Sequence, residues 1–272
     1  YFSQWKLEEI CLIYMMLGGI PYYLTQLDPS LGFVHAINQA LFVSETIFLE
    51  EVDEVLNLEF NKKGVETVKK ILSHLGQDGS TQVKLKEKTG FSFSYLSEIL
   101  AKLVDVKLVF KKFPAGKTVS QRDTGCLYYL KDFFLNFYFQ VLAPLQTQIT
   151  NNKHGLLFPY ANLSHQGYYV SNFSGKAFEL LVRTILEETF VSEKAPRIFA
   201  KLLLKDNNFN VMTYWDAQTQ IDLLVTHNTD RLVRLIECRW VSSATLEPRQ
   251  VVQEVLNKQY TPPPQHQVKR YA

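Results

Sequence analysis

Residues 221 to 240, IDLLVTHNTDRLVRLIECRW, constrain this chain more than any other stretch. Two aliphatic runs flank the polar segment from His227 to Asp230, and Asp222 and Glu237 stand among the apolar positions. Such runs around a turn predict an antiparallel hairpin. If Thr226 pairs with Arg231, Asp222 faces Leu235, and residues 222, 235, 237 and 239 share one face, because side chains alternate along a strand. Two carboxylates on one face of a low-dielectric sheet repel each other, so one must stay protonated unless a cation lies between them. A hard divalent ion, Mg2+ or Mn2+, meets that need, since it takes one or two carboxylates together with water and phosphate oxygens. Glu179, in GKAFELLV, offers a third carboxylate from the preceding helix. The alternative is structural: strand-edge carboxylates paired with Arg231, Arg234 or Arg239.

The 272 residues are enough for two modest cores. Residues 3 to 60 read as helices: WKLEEICLIYMML stops at Gly18-Gly19, Pro21 suits the first turn of the next helix, and INQALFVSETIFLEEVDEVL is amphipathic. Short helices follow at 65–75, 83–89 and 93–103, then two β runs, VKLVFKKF and CLYYL, around the turn-rich PAGKTVSQRDTG. Three helices and a hairpin in that order predict a winged helix-turn-helix. The aromatic segment DFFLNFYFQVL, 132–142, is expected to be packed on most sides. The expected division is a helical segment at 1–60, a winged helix with its aromatic helix at 61–145, a linker at 146–172 and an α/β domain at 173–272. The fold class is α+β, and the closing VKRYA reads as a strand just begun.

Composition sets limits. A net charge of +2 means that any nucleic-acid surface must be local. The basic residues Lys107, Lys111, Lys112, Lys117 and Arg122 gather on the hairpin and form a candidate phosphate-binding stripe for DNA. Three scattered cysteines without a C-x-x-C pair fit a reducing compartment, so a cytoplasmic location is expected. The longest apolar run is too short to span a bilayer and is broken by Gly18, Gly19 and Pro21, so no membrane partner is expected. The six histidines show no ligand spacing and are expected in loops or at the surface. A homo-oligomer stays open.

Asp222, fourteen intervening residues and Glu237-Cys238-Arg239, after a helix bearing Glu179, resemble the PD-(D/E)xK nuclease pattern, with Arg239 where that family has Lys. The resemblance implies a restriction-endonuclease-like domain with Asp222 and Glu237 as metal ligands, the Cys238 carbonyl as a third, Glu179 completing the site, and Gln250 or Gln253 as accessory groups. Arg239 departs from the pattern: a guanidinium stays protonated and cannot act as a base, although it can hold a phosphate.

The stretch MMLGGIPYYLTQLD resembles the lid of archaeal-type P-loop ATPases related to AAA+ and STAND proteins, and YYLKDFFLNFYF is similar to a later segment of that family. That resemblance implies a nucleotide-binding domain preceding these residues, ATP bound there, and Pro21 packed near the adenine. No phosphate-binding loop lies in the chain itself: AGKT at 115–118 would need Gly at position 111, where Lys111 stands. The expected function is DNA binding with metal-dependent phosphodiester hydrolysis. The alternative is a non-catalytic DNA- or partner-binding module with a degenerate nuclease fold, regulated by ATP.

Overall fold

The structure is a computed structural model that describes residues 1–75, 79–113, 125–151, 167–189, 209–215, 218–227, 231–240, 248–262 and 267–271. The chain is α+β, with helices and two small sheets, and it divides into two compact units. Tyr1–Lys111 and Leu127–Ala177 form the first, and Lys112–Cys126 and Phe178–Ala272 form the second. The segment expected as a separate 1–60 region therefore shares a unit with the helices that follow it.

In the first unit, α1 (Leu7–Leu17) begins where the Glu9 carboxylate accepts the Lys6 backbone N–H at 2.8 Å, and it ends at Gly18, whose φ of 66° is a conformation that glycine tolerates best. Ile20 is extended, as a residue before proline must be, and Pro21 opens α2 (Pro21–Leu24). Helices α3 (Phe33–Leu41) and α4 (Glu51–Asn57) complete this segment. Met15, Met16, Leu17 and Phe48 are fully buried, and the Tyr23 hydroxyl donates to Glu51 at 2.8 Å.

Three capped helices come next. Asn61 caps α5 (Lys62–Ser73), Thr81 caps α6 (Gln82–Thr89) and Ser92 caps α7 (Phe93–Asp105), each side chain accepting a backbone N–H from the first turn. Strands β1 (Val109–Lys112) and β2 (Leu127–Leu130) pair, and Ser80 adds a bridge to Tyr128 through mutual backbone bonds of 3.0 and 2.9 Å. This is the order of helices and strands that the sequence predicts.

The aromatic segment forms α8 (Phe133–Phe137), a π-helical turn over Tyr138–Leu142, and α9 (Ala143–Asn151). Phe133, Phe134, Leu135, Phe137, Tyr138, Val141 and Leu142 are all buried, as that composition predicts. Of the stretch expected as linker, 146–172, α9 takes the residues up to 151 and α10 (Gly167–Thr189) begins before its end; residues 152–166 lie outside the described set.

In the second unit β3 (Phe209–Trp215), β4 (Gln220–His227), β5 (Leu232–Ile236) and β6 (Gln267–Tyr271) form one sheet in that order. β3, β4 and β5 are antiparallel neighbours. The chain then returns through α11 (Pro248–Asn257) to lay β6 parallel to β5. On one face Val182 and Leu186 of α10 pack on Leu223, Val225, Ile236 and Cys238; on the other Ile221, Leu224, Val233 and Leu235 meet Met212, Tyr214, Tyr260 and Val268. Apolar residues fill both faces, so β4 and β5 are continuous hydrophobic runs without strict alternation.

The hairpin register differs from the expected one by two residues. Thr226 pairs with Val233 and His227 with Leu232, so a connection of the expected four residues sits one position later, at 228–231. A shift of two preserves the face of each side chain but moves Asp222 from opposite Leu235 to one step beyond the Leu223–Ile236 pair, opposite Glu237. β4 also carries a bulge: Met212 pairs with Leu224 and Tyr214 with Ile221, so Asp222 and Leu223 together oppose Thr213. The bulge frees Asp222 from strict alternation, a common device where a strand must re-aim a side chain. His227, expected in a loop, is buried in β4 because the shifted register extends the strand through it.

Candidate functional site

Strand β5 ends at Ile236, so Glu237, Cys238 and Arg239 leave the ladder beside Asp222. Asp222 Oδ2 accepts the Cys238 backbone N–H at 2.9 Å, which fixes the carboxylate against the main chain. Glu237 is only 4% exposed, and neither of its carboxyl oxygens accepts a well-aligned hydrogen bond. Two cations lie near it at ion-pair range instead: Lys258 Nζ is 3.3 Å from Oε1 and Arg239 Nη2 is 3.4 Å from Oε2. Burial, and then the neighbouring Asp222, push the Glu237 carboxyl above its ordinary range, against the pull of Lys258 and Arg239.

The Arg239 guanidinium is the meeting point of the site. Its Nη1 is 3.6 Å from Asp222 Oδ2 and donates to the Cys238 carbonyl at 3.3 Å, while Nη2 reaches Glu237 and donates to Glu254 Oε2 on α11 at 3.0 Å. Asp222, Glu237 and the Cys238 carbonyl are the donors that the nuclease resemblance assigns to a metal, and all three converge on one group. Two carboxylates and a carbonyl form a hard oxygen set that suits Mg2+ or Mn2+. The residues fit such an ion; they also hold a cation of their own. Beside them opens a cleft of about 410 Å³ lined by Gln218, Thr219, Gln220, Arg239, Glu254, Asn257 and Lys258.

Glu179 Oε1 lies 2.6 Å from Lys112 Nζ, with both side chains buried, and its charge also acts on the Cys238 thiol beside Asp222 and Glu237. Among the described residues no group of three or more His, Cys, Asp or Glu side chains is arranged to hold a metal ion. Lys112 is thereby taken from the basic stripe, whereas Lys107 and Lys111 are exposed. Lys117 and Arg122 lie outside the described residues. Pro21 opens α2, and Gln253 donates to Asn257 at 3.0 Å. Burial and the charge of Asp222 push the Cys238 thiol up, so it is not a ready nucleophile.

Glu254 and Lys258 were not anticipated. Residues 250, 254 and 258 follow at helical spacing, so a reading of the whole helix face that holds Gln250 would have found them.

Residues 138–251 match the model of the DUF234 family, described as archaeal and bacterial proteins of unknown function. The matched segment runs from the aromatic helix through Asp222, Glu237 and Arg239. Across nearly its whole length the chain is also similar to an uncharacterized protein of Methanocaldococcus jannaschii, at 24% identity over 258 residues, 95% of this chain. The chain spans 54% of that relative's length. No solved structure matches it. Among the described residues no helix is long and apolar enough to cross a membrane.

Proposed function

We propose that this chain is the DNA-acting C-terminal part of a P-loop ATPase, with a nuclease-like second unit whose Asp222–Glu237 pair takes Mg2+ or Mn2+. The observation that carries this reading is the convergence of Asp222, Glu237 and the Cys238 carbonyl on a single guanidinium. Two carboxylates and a carbonyl all face one guanidinium, with Lys258 as a second cation beside Glu237. Bound there, the ion would lower the pKa of a water and screen the charge of a phosphodiester. Asp222 and Glu237 would hold it, and the Cys238 N–H orients Asp222. Arg239 and Lys258, on the wall of the cleft, would meet phosphate oxygens.

The first unit would supply duplex affinity through a winged helix, with Lys107 and Lys111 on phosphates. The Gly19-Ile20-Pro21 element and the greater length of the archaeal relative support an ATP-binding domain outside these residues.

Charge compensation favours a second reading. Arg239 and Lys258 already offset Asp222 and Glu237, so a site that has lost cleavage would be stable as it stands and would serve to bind DNA or a partner. Incubation of the full-length protein with linear and circular DNA, with Mn2+ or Mg2+, with and without ATP, separates the two. Metal-dependent cutting that disappears in Glu237→Gln supports hydrolysis. Salt-sensitive binding by both proteins without cutting supports the second reading, and absence of both overturns the proposal.

A further inference from the structure

We infer that Arg239 is a displaceable internal counter-ion and that Glu254 is its second seat, so that entry of a divalent cation hands the guanidinium from the carboxylate pair to the cleft. The inference rests on the metal-binding reading of Asp222 and Glu237, and adds to it a positioning residue on α11.

The geometry is that of a group held between two places. One nitrogen, Nη2, faces Glu237 at 3.4 Å and Glu254 at 3.0 Å, and the shorter, hydrogen-bonded contact is to Glu254. Glu254 is exposed, Glu237 is buried, and the Arg239 side chain is 40% exposed between them on the wall of the cleft. A small rotation about the outer side-chain bonds would take the guanidinium off Glu237 and Asp222 while its bond to Glu254 persists. The contacts given up are the longer ones, 3.4 and 3.6 Å to the two carboxylates and the 3.3 Å bond to the Cys238 carbonyl.

Charge gives the direction. Three carboxylates, Asp222, Glu237 and Glu254, surround two cations, Arg239 and Lys258, and leave an excess of one negative charge. The buried Glu237 oxygens, without aligned hydrogen bonds, gain most from a ligand that approaches closely. A divalent ion at oxygen-contact distance of about 2.1 Å cannot share the point of convergence with a guanidinium, so the two cations exclude each other. Without Glu254 the displaced guanidinium would have no partner; with Glu254 it stays beside the site and faces the polar side chains of Gln218, Gln220 and Asn257. The metal-bound state would then present Arg239 to a phosphate oxygen in the cleft, and the metal-free state would keep it turned inward. The ligand class is a phosphodiester whose recognition depends on prior metal binding.

A double-mutant cycle on metal affinity tests this without any cleavage assay. Mn2+ binding would be measured by titration calorimetry on the full chain as wild type, Arg239→Gln, Glu254→Gln and the double variant, with Glu237→Gln as the control for the site. Arg239→Gln should bind Mn2+ at least tenfold tighter, because the competitor is gone. Glu254→Gln should weaken Mn2+ binding severalfold in the wild-type background and have no effect once Arg239 is absent. Equal weakening in both backgrounds would make Glu254 an ordinary ligand, and no effect in either would make it a bystander; each overturns the inference. If Glu237→Gln abolishes binding while the cycle is flat, the metal site stands and the second seat falls. If neither wild type nor Arg239→Gln takes up Mn2+, the metal reading and this inference fall together.

Discussion

Lys112 Nζ lies 2.6 Å from Glu179 Oε1, with the two side chains 8% and 9% exposed, so each buried charge is answered by the other. Removing one partner takes from the other a close opposite charge inside the protein. Glu179→Gln should therefore cost about 3–5 kcal/mol of stability, while Lys112→Met with Glu179→Leu should be near neutral, because an apolar pair of similar volume avoids the desolvation of both ions. Urea unfolding of the three variants measures this. A Glu179→Gln protein of wild-type stability that has lost Mn2+ binding would instead make Glu179 a metal ligand.

Stability should fall as pH rises through the Glu237 range. Its folded carboxyl titrates above the ordinary value of 4.5, because burial and Asp222 disfavour the charge. The folded state thus holds the proton more tightly than the unfolded chain, so this contribution is complete below pH 4.5 and is lost as pH climbs through the folded value. In metal-free buffer Glu237→Gln should match wild type in acid and become the more stable protein as pH is raised through that window, the gap then levelling off. A gap that does not change with pH would mean that Glu237 carries no raised titration.

The exposed Lys111 and the buried Lys112 make a matched pair for the DNA-binding reading. A lysine that neutralises a phosphate contributes about 0.9 to the slope of log affinity against log salt. Lys111→Gln should reduce that slope by about this amount. Lys112→Met paired with Glu179→Leu should leave it unchanged, as Lys112 faces Glu179 and not solvent. Fluorescence anisotropy with a labelled duplex at several salt concentrations reads both, and an unchanged slope in Lys111→Gln would remove the hairpin from the interface.

Much of the fold was legible because its elements announce themselves locally. The capping residues Asn61, Thr81 and Ser92 stand where helices α5, α6 and α7 begin, and the aromatic 132–142 segment had too little polar surface to lie anywhere but in a core. Asp222 and Glu237 were legible as neighbours because two carboxylates in aliphatic runs require compensation. Their register was not: it depends on where the four-residue connection sits and on a bulge opposite Thr213, and neither has a residue signature in a strand buried on both faces. The Lys112 partner of Glu179 was not legible for a related reason. Helix periodicity gives the face on which a carboxylate lies but not which long-range cation reaches it, and Lys112 is 67 residues away in sequence.

Lys107 shows where sequence-local physics and position conflict. Helix α7 closes with the Leu108 N–H bonded to the Leu103 carbonyl at 3.0 Å and the Lys107 N–H to the Val104 carbonyl at 3.1 Å, the paired bonds of a Schellman ending. That ending places Lys107 at the left-handed position, with φ of 63°, where glycine is the usual occupant. A lysine there costs about 1 kcal/mol in backbone strain. Lys107→Gly should therefore raise stability by roughly that amount, or about 2–4 °C in Tm if the first unit melts on its own. If the strain is kept because the exposed ammonium binds a phosphate, the same substitution should also reduce the salt slope of DNA binding by about 0.9. Thermal melts and duplex titrations on one preparation read both. A more stable protein with an undiminished slope would show that the charge at 107 has no part in binding, and a less stable one would show that the side chain earns its place through packing.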